Sequence, residues 1–116
     1  MNNYHSGHFA ELLALLSLFF KGYVPVRRNY VTGRGTHAGE VDLIVRQKRT
    51  LVFVEVKKRT TQELAAYAVQ PKQQERIRRA AEGFLARHPQ YQNFDVRFDV
   101  VLVSFPLNLH HIKNAF

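Results

Sequence analysis

The feature that most restricts the fold is the run LVFVEVKKR at residues 51–59. In a strand, successive side chains point to opposite faces, so Leu51, Phe53, Glu55 and Lys57 share one face and Val52, Val54 and Val56 the other. Both faces begin apolar, and a strand apolar on both faces must be covered on both. A layered α/β domain supplies that cover. The run EVDLIV at 40–45 behaves similarly, with Glu40, Asp42 and Ile44 on one face and Val41, Leu43 and Val45 on the other. The short polar stretch 47–50 suits a hairpin, so the two runs are expected to pair antiparallel.

The other segments fit around this pair. Residues 8–21, HFAELLALLSLFFK, are dense in helix formers, and Gly22 supplies a C-terminal stop. Apolar residues surround most of that helix, which predicts burial on several sides or a subunit contact. Residues 23–31 are strand-like, with Pro25 favouring a strand start or an edge. The segment 32–39, TGRGTHAG, reads as a turn or loop and does not match a phosphate-binding glycine motif. Residues 60–70 show no clear period. Pro71 then suits a first helical turn, and Ile77, Ala80, Ala81, Phe84 and Leu85 form an amphipathic stripe ending before Pro89. Residues 97–105, RFDVVLVSF, predict a further strand. A helix between two strands normally crosses over right-handedly and leaves them parallel. The expectation is one α/β domain over 1–116, ordered αβββαβ, with a mixed four-stranded sheet flanked by helices.

At 116 residues there is no room for a second core. Seventeen Lys and Arg against nine Asp and Glu leave a charge of +8, which draws polyanions or simply keeps the protein soluble. The absence of cysteine excludes disulfides and thiolate metal sites, and makes the cytoplasm the natural setting. The apolar run 12–20 falls short of the roughly 20 residues that span a bilayer and has no basic segment before it, so no membrane association is expected.

Against this apolar background the charges on the central strands stand out. A carboxylate and an ammonium two residues apart on a covered strand carry a desolvation cost. Glu40 and Asp42 come opposite Glu55, and clustered carboxylates repel one another unless a cation neutralises them. A hard cation such as magnesium prefers those oxygen ligands. Lys57 would orient an attacking water or stabilise charge gathering on a phosphate. The alternative is an ion-pair network of Asp42, Glu55 and Lys57 that pins strand register. Arg97 and Asp99 share a face and suit a structural ion pair. The six histidines form no ligand pattern, since His110 and His111 point apart on a strand.

The segments GEVDLIV (39–45) and LVFVEVKKR (51–59) resemble the PD-(D/E)XK nuclease superfamily, and most of all its YraN-like branch, related to archaeal Holliday-junction resolvases. GHFAE (7–11), GYVPVRRNY (22–30), the second helix and RFDVV (97–101) extend the resemblance over nearly the whole chain. It implies a restriction-endonuclease-like core and hydrolysis of DNA phosphodiesters, with branched junctions among the substrates. Asp42 and Glu55 would ligate magnesium, for which manganese substitutes, together with the carbonyl of Val56. Lys57 would be the catalytic lysine. Val41 stands where the superfamily has proline, a position that provides no ligand. Resolvase-like relatives also bring an acid from the first helix to the metal and act as homodimers. Glu11 suits that role because Ala14, Leu15 and Leu18 place it along an inward stripe. Its alternative is helix-start stabilisation, worth about 0.3 to 1 kcal/mol. Glu40 either flanks the site or faces solvent.

For a nucleic-acid partner, Lys72, Arg76, Arg79 and Arg87 recur near one face of the second helix, suiting backbone phosphates. A solvated surface with Glu75–Arg79 and Arg78–Glu82 pairs is the alternative. Arg27, Arg28, Arg34, Lys58 and Arg59 add cations near the sheet edge, and the segments 32–39 and 60–68 are candidates to close over a strand. With no base-reading motif, recognition by shape is expected. A non-catalytic nucleic-acid-binding module and a protein-binding scaffold are the competing functions.

Overall fold

The computed structural model describes residues 3–33, 35, 38–59, 69–104 and 108–116, with side chains from residue 8 onward. Helix α1 (Asn3–Phe20) leads into β1 (Val24–Thr32), β2 (Gly39–Gln47) and β3 (Thr50–Lys58); α2 (Pro71–Arg87), β4 (Asp95–Ser104) and β5 (Asn108–Ile112) follow. The sheet runs β1-β2-β3-β4-β5. All neighbours are antiparallel except β3 and β4, which α2 connects as a parallel pair. This is the expected mixed α/β sheet flanked by helices.

Both expected caps on the sheet are present, one helix on each face. Ala10, Ala14 and Leu18 of α1 pack on Leu43, Val45, Val52, Val54, Val56, Val101 and Val103. On the opposite face Ile77, Ala80, Ala81 and Phe84 of α2 cover Tyr30, Val41, Ile44, Leu51 and Phe53. Strand β3 therefore lies in the middle of three layers, buried from Leu51 through Val56. The hairpin between β2 and β3 closes at Gln47↔Thr50, with Lys48 at φ 54 in the turn. Helix α1 ends in a Schellman motif, in which Tyr23 N donates to Leu18 O and Gly22 N to Phe19 O, with Gly22 at φ 94.

Helix α2 approaches the sheet at Gly39. A Cβ at that position would run into Ala80 N and lie 2.7 Å from Arg79 C, both backbone atoms that cannot swing away. The first residue of β2 thus sets how closely α2 lies, and with it the position of the α2 side chains beside the end of the sheet.

Four details depart from the sequence reading. Strand β5 extends the sheet beyond four strands; its sequence NLHHI is short and partly exposed, so it carries little apolar signal. Helix α1 begins at Asn3, earlier than residue 8. Of the two readings of its apolar circumference, burial on several sides does not hold: Phe9, Leu12, Leu16, Phe19 and Phe20 are exposed. Finally, strict alternation fails in β2. Leu43 and Val45 face α1, yet Val41 packs with Ile44 beneath α2. The break falls at Asp42, where the β2–β3 pairing stops at Leu43↔Val54 and where Asn29, opposite in register on β1, has φ 51.

Candidate functional site

The break in β2 builds the site. Because the pairing of β2 with β3 begins only at Leu43, Val56 has no ladder partner on β2, and the Asp42 side chain meets its N–H instead: Val56 N donates to Asp42 Oδ2 at 2.8 Å. Asp42 is thereby held against β3 beside Glu55. A cleft of about 330 Å³ opens here at the end of the sheet, lined by Ala10 and Glu11 of α1, Glu40 and Asp42 of β2, Glu55 to Lys58 of β3, and Gln73 and Arg76 of α2. The expected acids Glu11, Asp42, Glu55 and Glu40 and the expected Lys57 thus converge from three elements.

Their electrostatics differ by position. Glu55 is 9% exposed. Burial, a hydrogen bond with Asp42 and the Asp42 charge push its carboxyl up to about 8, against the opposing pull of Lys57, whose Nζ lies 3.4 Å from Glu55 Oε2. Two oxygens of neighbouring acids share a proton more readily than they both ionise in such a place. Glu11 is also raised, by burial first and by Asp42 second, while His8, Arg28 and a hydrogen bond from Asn29 work the other way. Its Oε1 is buried and has no hydrogen-bond partner among the described residues. Glu40 sits at the rim, about half exposed, in an ion pair with Arg76. Among the described residues, no group of three or more His, Cys, Asp or Glu side chains already stands in metal-holding arrangement. The donor set itself is all oxygen, is pushed toward the protonated form by burial and by Asp42, and includes one buried Glu11 oxygen with no hydrogen-bond partner among the described residues, which suits a hard divalent cation.

The expected basic residues divide into groups. Lys58 is exposed on the cleft wall and Arg59 follows it, with Nη1 donating to the Lys58 carbonyl at 2.6 Å. Arg28 is near enough to act on Glu11, and Arg27 lies over the Tyr30 ring at 5.7 Å on the edge strand. Lys72, Arg76 and Arg79 line a second hollow of about 400 Å³ with Gly35, Ala38 and Glu75. Arg76 borders both spaces. The Glu75–Arg79 pair is formed at 3.6 Å, whereas the Arg78 guanidinium lies over Phe98 and Phe116 at 4.8 and 5.4 Å. Arg34 and the segment 60–68 lie outside the described residues. Gln73 and Asn29 were missed from sequence. Gln73 is three residues before Arg76 on the same helix face, a signal available in principle; the role of Asn29 depends on its left-handed backbone and had none.

Away from the cleft, Asp99 is fully buried and receives Arg97 Nε at 2.9 Å and Nη2 at 2.8 Å, with His111 Nε2 at 2.7 Å. Asn114 N donates to it at 3.2 Å, and Arg97 also donates to Tyr23 Oη at 2.7 Å. Burial alone would raise this carboxyl; the bonds from His111 and Arg97 outweigh it and hold Asp99 below the ordinary range. The network ties β4 to β5 and to the start of β1, which agrees with the structural role expected for Arg97 and Asp99. His111 points into it while His110 is exposed.

Comparison with known proteins places the chain in one family. A UPF0102 protein of Paramagnetospirillum magneticum is 47% identical over 110 residues, covering 94% of this chain and 84% of the relative. One of Parvibaculum lavamentivorans is 48% identical over 100 residues, covering 86% and 72%, and one of Bradyrhizobium diazoefficiens is 41% identical over 114 residues, covering 97% and 82%. The family model described as "Uncharacterised protein family UPF0102" matches residues 10–103, a span that contains Glu11, the β2 and β3 acids, Lys57 and the whole of α2. The chain belongs to the UPF0102 family.

Proposed function

We propose that the cleft is the active site of a magnesium-dependent endonuclease that hydrolyses DNA phosphodiesters, selecting substrate by shape. The observation behind this reading is the meeting of Glu11, Asp42 and Glu55 from α1, β2 and β3 around one cleft with Lys57. Buried negative charge there would repel a phosphate, so a site used only for binding nucleic acid gains nothing from it.

Asp42 and Glu55 would hold the ion, with Glu11 and the carbonyl of Val56 as further oxygen donors; manganese has the same preference and would substitute. When bound, magnesium supplies Lewis acidity toward a phosphate oxygen and acidifies water. The protein's own groups do the rest. Val56 N–H fixes one Asp42 oxygen, so the carboxylate enters the cleft in a set orientation. Lys57 places a positive charge beside Glu55, where it orients water and meets negative charge developing on the phosphate. Lys58 on the wall, with Arg28, Lys72, Arg76 and Arg79 around it, provides contacts to backbone phosphates that hold the strand without reading its bases. Resemblance to the PD-(D/E)XK superfamily agrees with this assignment of Asp42, Glu55 and Lys57.

The test is cleavage of labelled four-way junction, flap, duplex and single-stranded DNA in magnesium, for the native protein, Asp42→Ala and Lys57→Met. Cleavage by the native protein, lost by a factor of at least about 100 in either variant, is the expected result. Cleavage unchanged in both variants places the activity elsewhere. Binding without cleavage of any substrate replaces the enzyme with a nucleic-acid-binding module.

A further inference from the structure

The face of α1 turned away from the sheet is apolar and open. Phe9 is 49% exposed, Leu12 41%, Leu16 46%, Phe19 55% and Phe20 82%. The buried side chains Ala10, Ala14 and Leu18 lie on the opposite side of the helix, so these five make one continuous stripe. At about 200 Å² for a large apolar side chain, the stripe exposes roughly 500 Å², at the upper end of what a monomer normally leaves in one patch.

The spacing within the stripe selects its occupant. Phe9, Leu12, Leu16 and Phe19 are separated by three, four and three residues, so the pattern Phe-Leu-Leu-Phe reads the same in either direction about Ala14. A two-fold interface requires that residue i meet residue j while j meets i. Two such helices packed antiparallel satisfy this with layers of Phe9 against Phe19 and Leu12 against Leu16 of the other copy, in the three-four alternation of a coiled-coil seam. An unrelated partner would impose no such symmetry. A membrane surface is disfavoured on other grounds, because residues 3–20 contain no Lys or Arg to engage anionic headgroups. Charge is arranged to permit self-association too: the helix carries Glu11 and no Lys or Arg, so the chain's positive excess lies outside it.

We infer that α1 is a homodimer interface, in which two copies pack antiparallel about a two-fold axis at Ala14. Twice the stripe area is close to 1,000 Å², near the lower limit for a specific interface, so the dimer is weak, with a dissociation constant in roughly the micromolar range. Added salt strengthens it, since it screens repulsion between two cationic bodies without weakening apolar contact. The inference stands apart from the reading of the cleft, because none of these side chains lines it.

Sedimentation velocity from a few to about 200 micromolar protein tests the state, and cysteine cross-linking tests the geometry. The native protein is expected to dimerise with concentration, more at high salt. Leu16→Glu should be monomeric with an unchanged circular dichroism spectrum, because the position is already solvent-exposed. The chain has no cysteine, so Phe9→Cys and Phe19→Cys each introduce a single thiol. Ten residues separate them by about 15 Å along the helix, too far for 9–9 or 19–19 disulfides in an antiparallel pair. An oxidised mixture of the two variants should therefore yield covalent dimer that neither yields alone. A native protein monomeric throughout, a dimer that survives Leu16→Glu, or disulfides within each single variant would overturn the proposal. So would a monomer whose binding to phosphatidylcholine–phosphatidylglycerol vesicles is abolished by Leu16→Glu, which would make the stripe a membrane face.

Discussion

Replacing Glu55 by Gln should stabilise the protein in the absence of divalent ions, and the gain should grow with pH. The Glu55 carboxyl is raised from 4.5 to about 8, first by burial and then by Asp42. Below pH 4.5 it is protonated whether the chain is folded or not, and contributes no pH dependence. Between pH 4.5 and 8 the unfolded chain releases this proton and the native state keeps it, so the native state binds more protons and stability falls as pH rises. At about 1.4 kcal/mol per pH unit, the loss reaches on the order of 5 kcal/mol by pH 8 and is constant above it. Glutamine keeps the shape and a hydrogen-bonding oxygen but has no proton to lose. Urea unfolding in EDTA at pH 5, 6, 7 and 8.5 should show the native protein losing several kcal/mol relative to Glu55→Gln across that window. Magnesium at pH 8.5 should restore the native protein and leave the variant unchanged, because only a ligand of the folded state shifts the equilibrium. Parallel pH profiles for the two proteins would refute the reasoning, since they would mean Glu55 ionises without penalty.

Asp99 works in the opposite sense. Its depressed carboxyl supplies stability above the unfolded value near 4 that disappears as pH falls through the folded value, so it should weaken the fold in acid without overlapping the Glu55 window. Asp99→Asn should cost about 3 kcal/mol at pH 7 by calorimetry or urea titration, because Arg97 loses its buried counter-charge and the hydrogen bonds around the carboxylate are disrupted. Gly39→Ala should cost about 2 kcal/mol or more and lower the melting temperature, since its methyl meets the α2 backbone at Ala80. Arg76→Ala should change stability by less than about 1 kcal/mol, its partner Glu40 being half exposed, yet weaken DNA binding and flatten its salt dependence in a fluorescence anisotropy titration.

How much of the site was readable depended on how local each cause was. The antiparallel β2–β3 pair, the helix starting at Pro71 and the Gly22 stop each follow from neighbouring residues, and all three are where the sequence puts them. Asp42, Glu55 and Lys57 were conspicuous because charge on a strand apolar on both faces demands a reason. Strand β5 was obscured because edge strands need few apolar residues, and its anchor, His111 on Asp99, is a contact across neighbouring strands between residues twelve apart in sequence. Asn29 and Gln73 were silent because their importance lies in what β1 and α2 are brought beside.

The sequence by itself determined the layers: two runs of alternating residues with apolar side chains on both faces need cover on both, and the described residues supply a helix for each face. Tertiary structure decided which groups meet. Periodicity says that Asp42 leaves its strand on one side or the other; only the break at Asp42, just before the β3 ladder begins at Leu43, turns its carboxylate onto the N–H of Val56 and next to Glu55. It likewise decided that α1 buries only one side of its apolar circumference, because a flat sheet touches a helix along one stripe and leaves the other open. Hydrophobic pattern is a property of each segment, whereas the distance between a carboxylate and its neighbour is set by where separate segments pack.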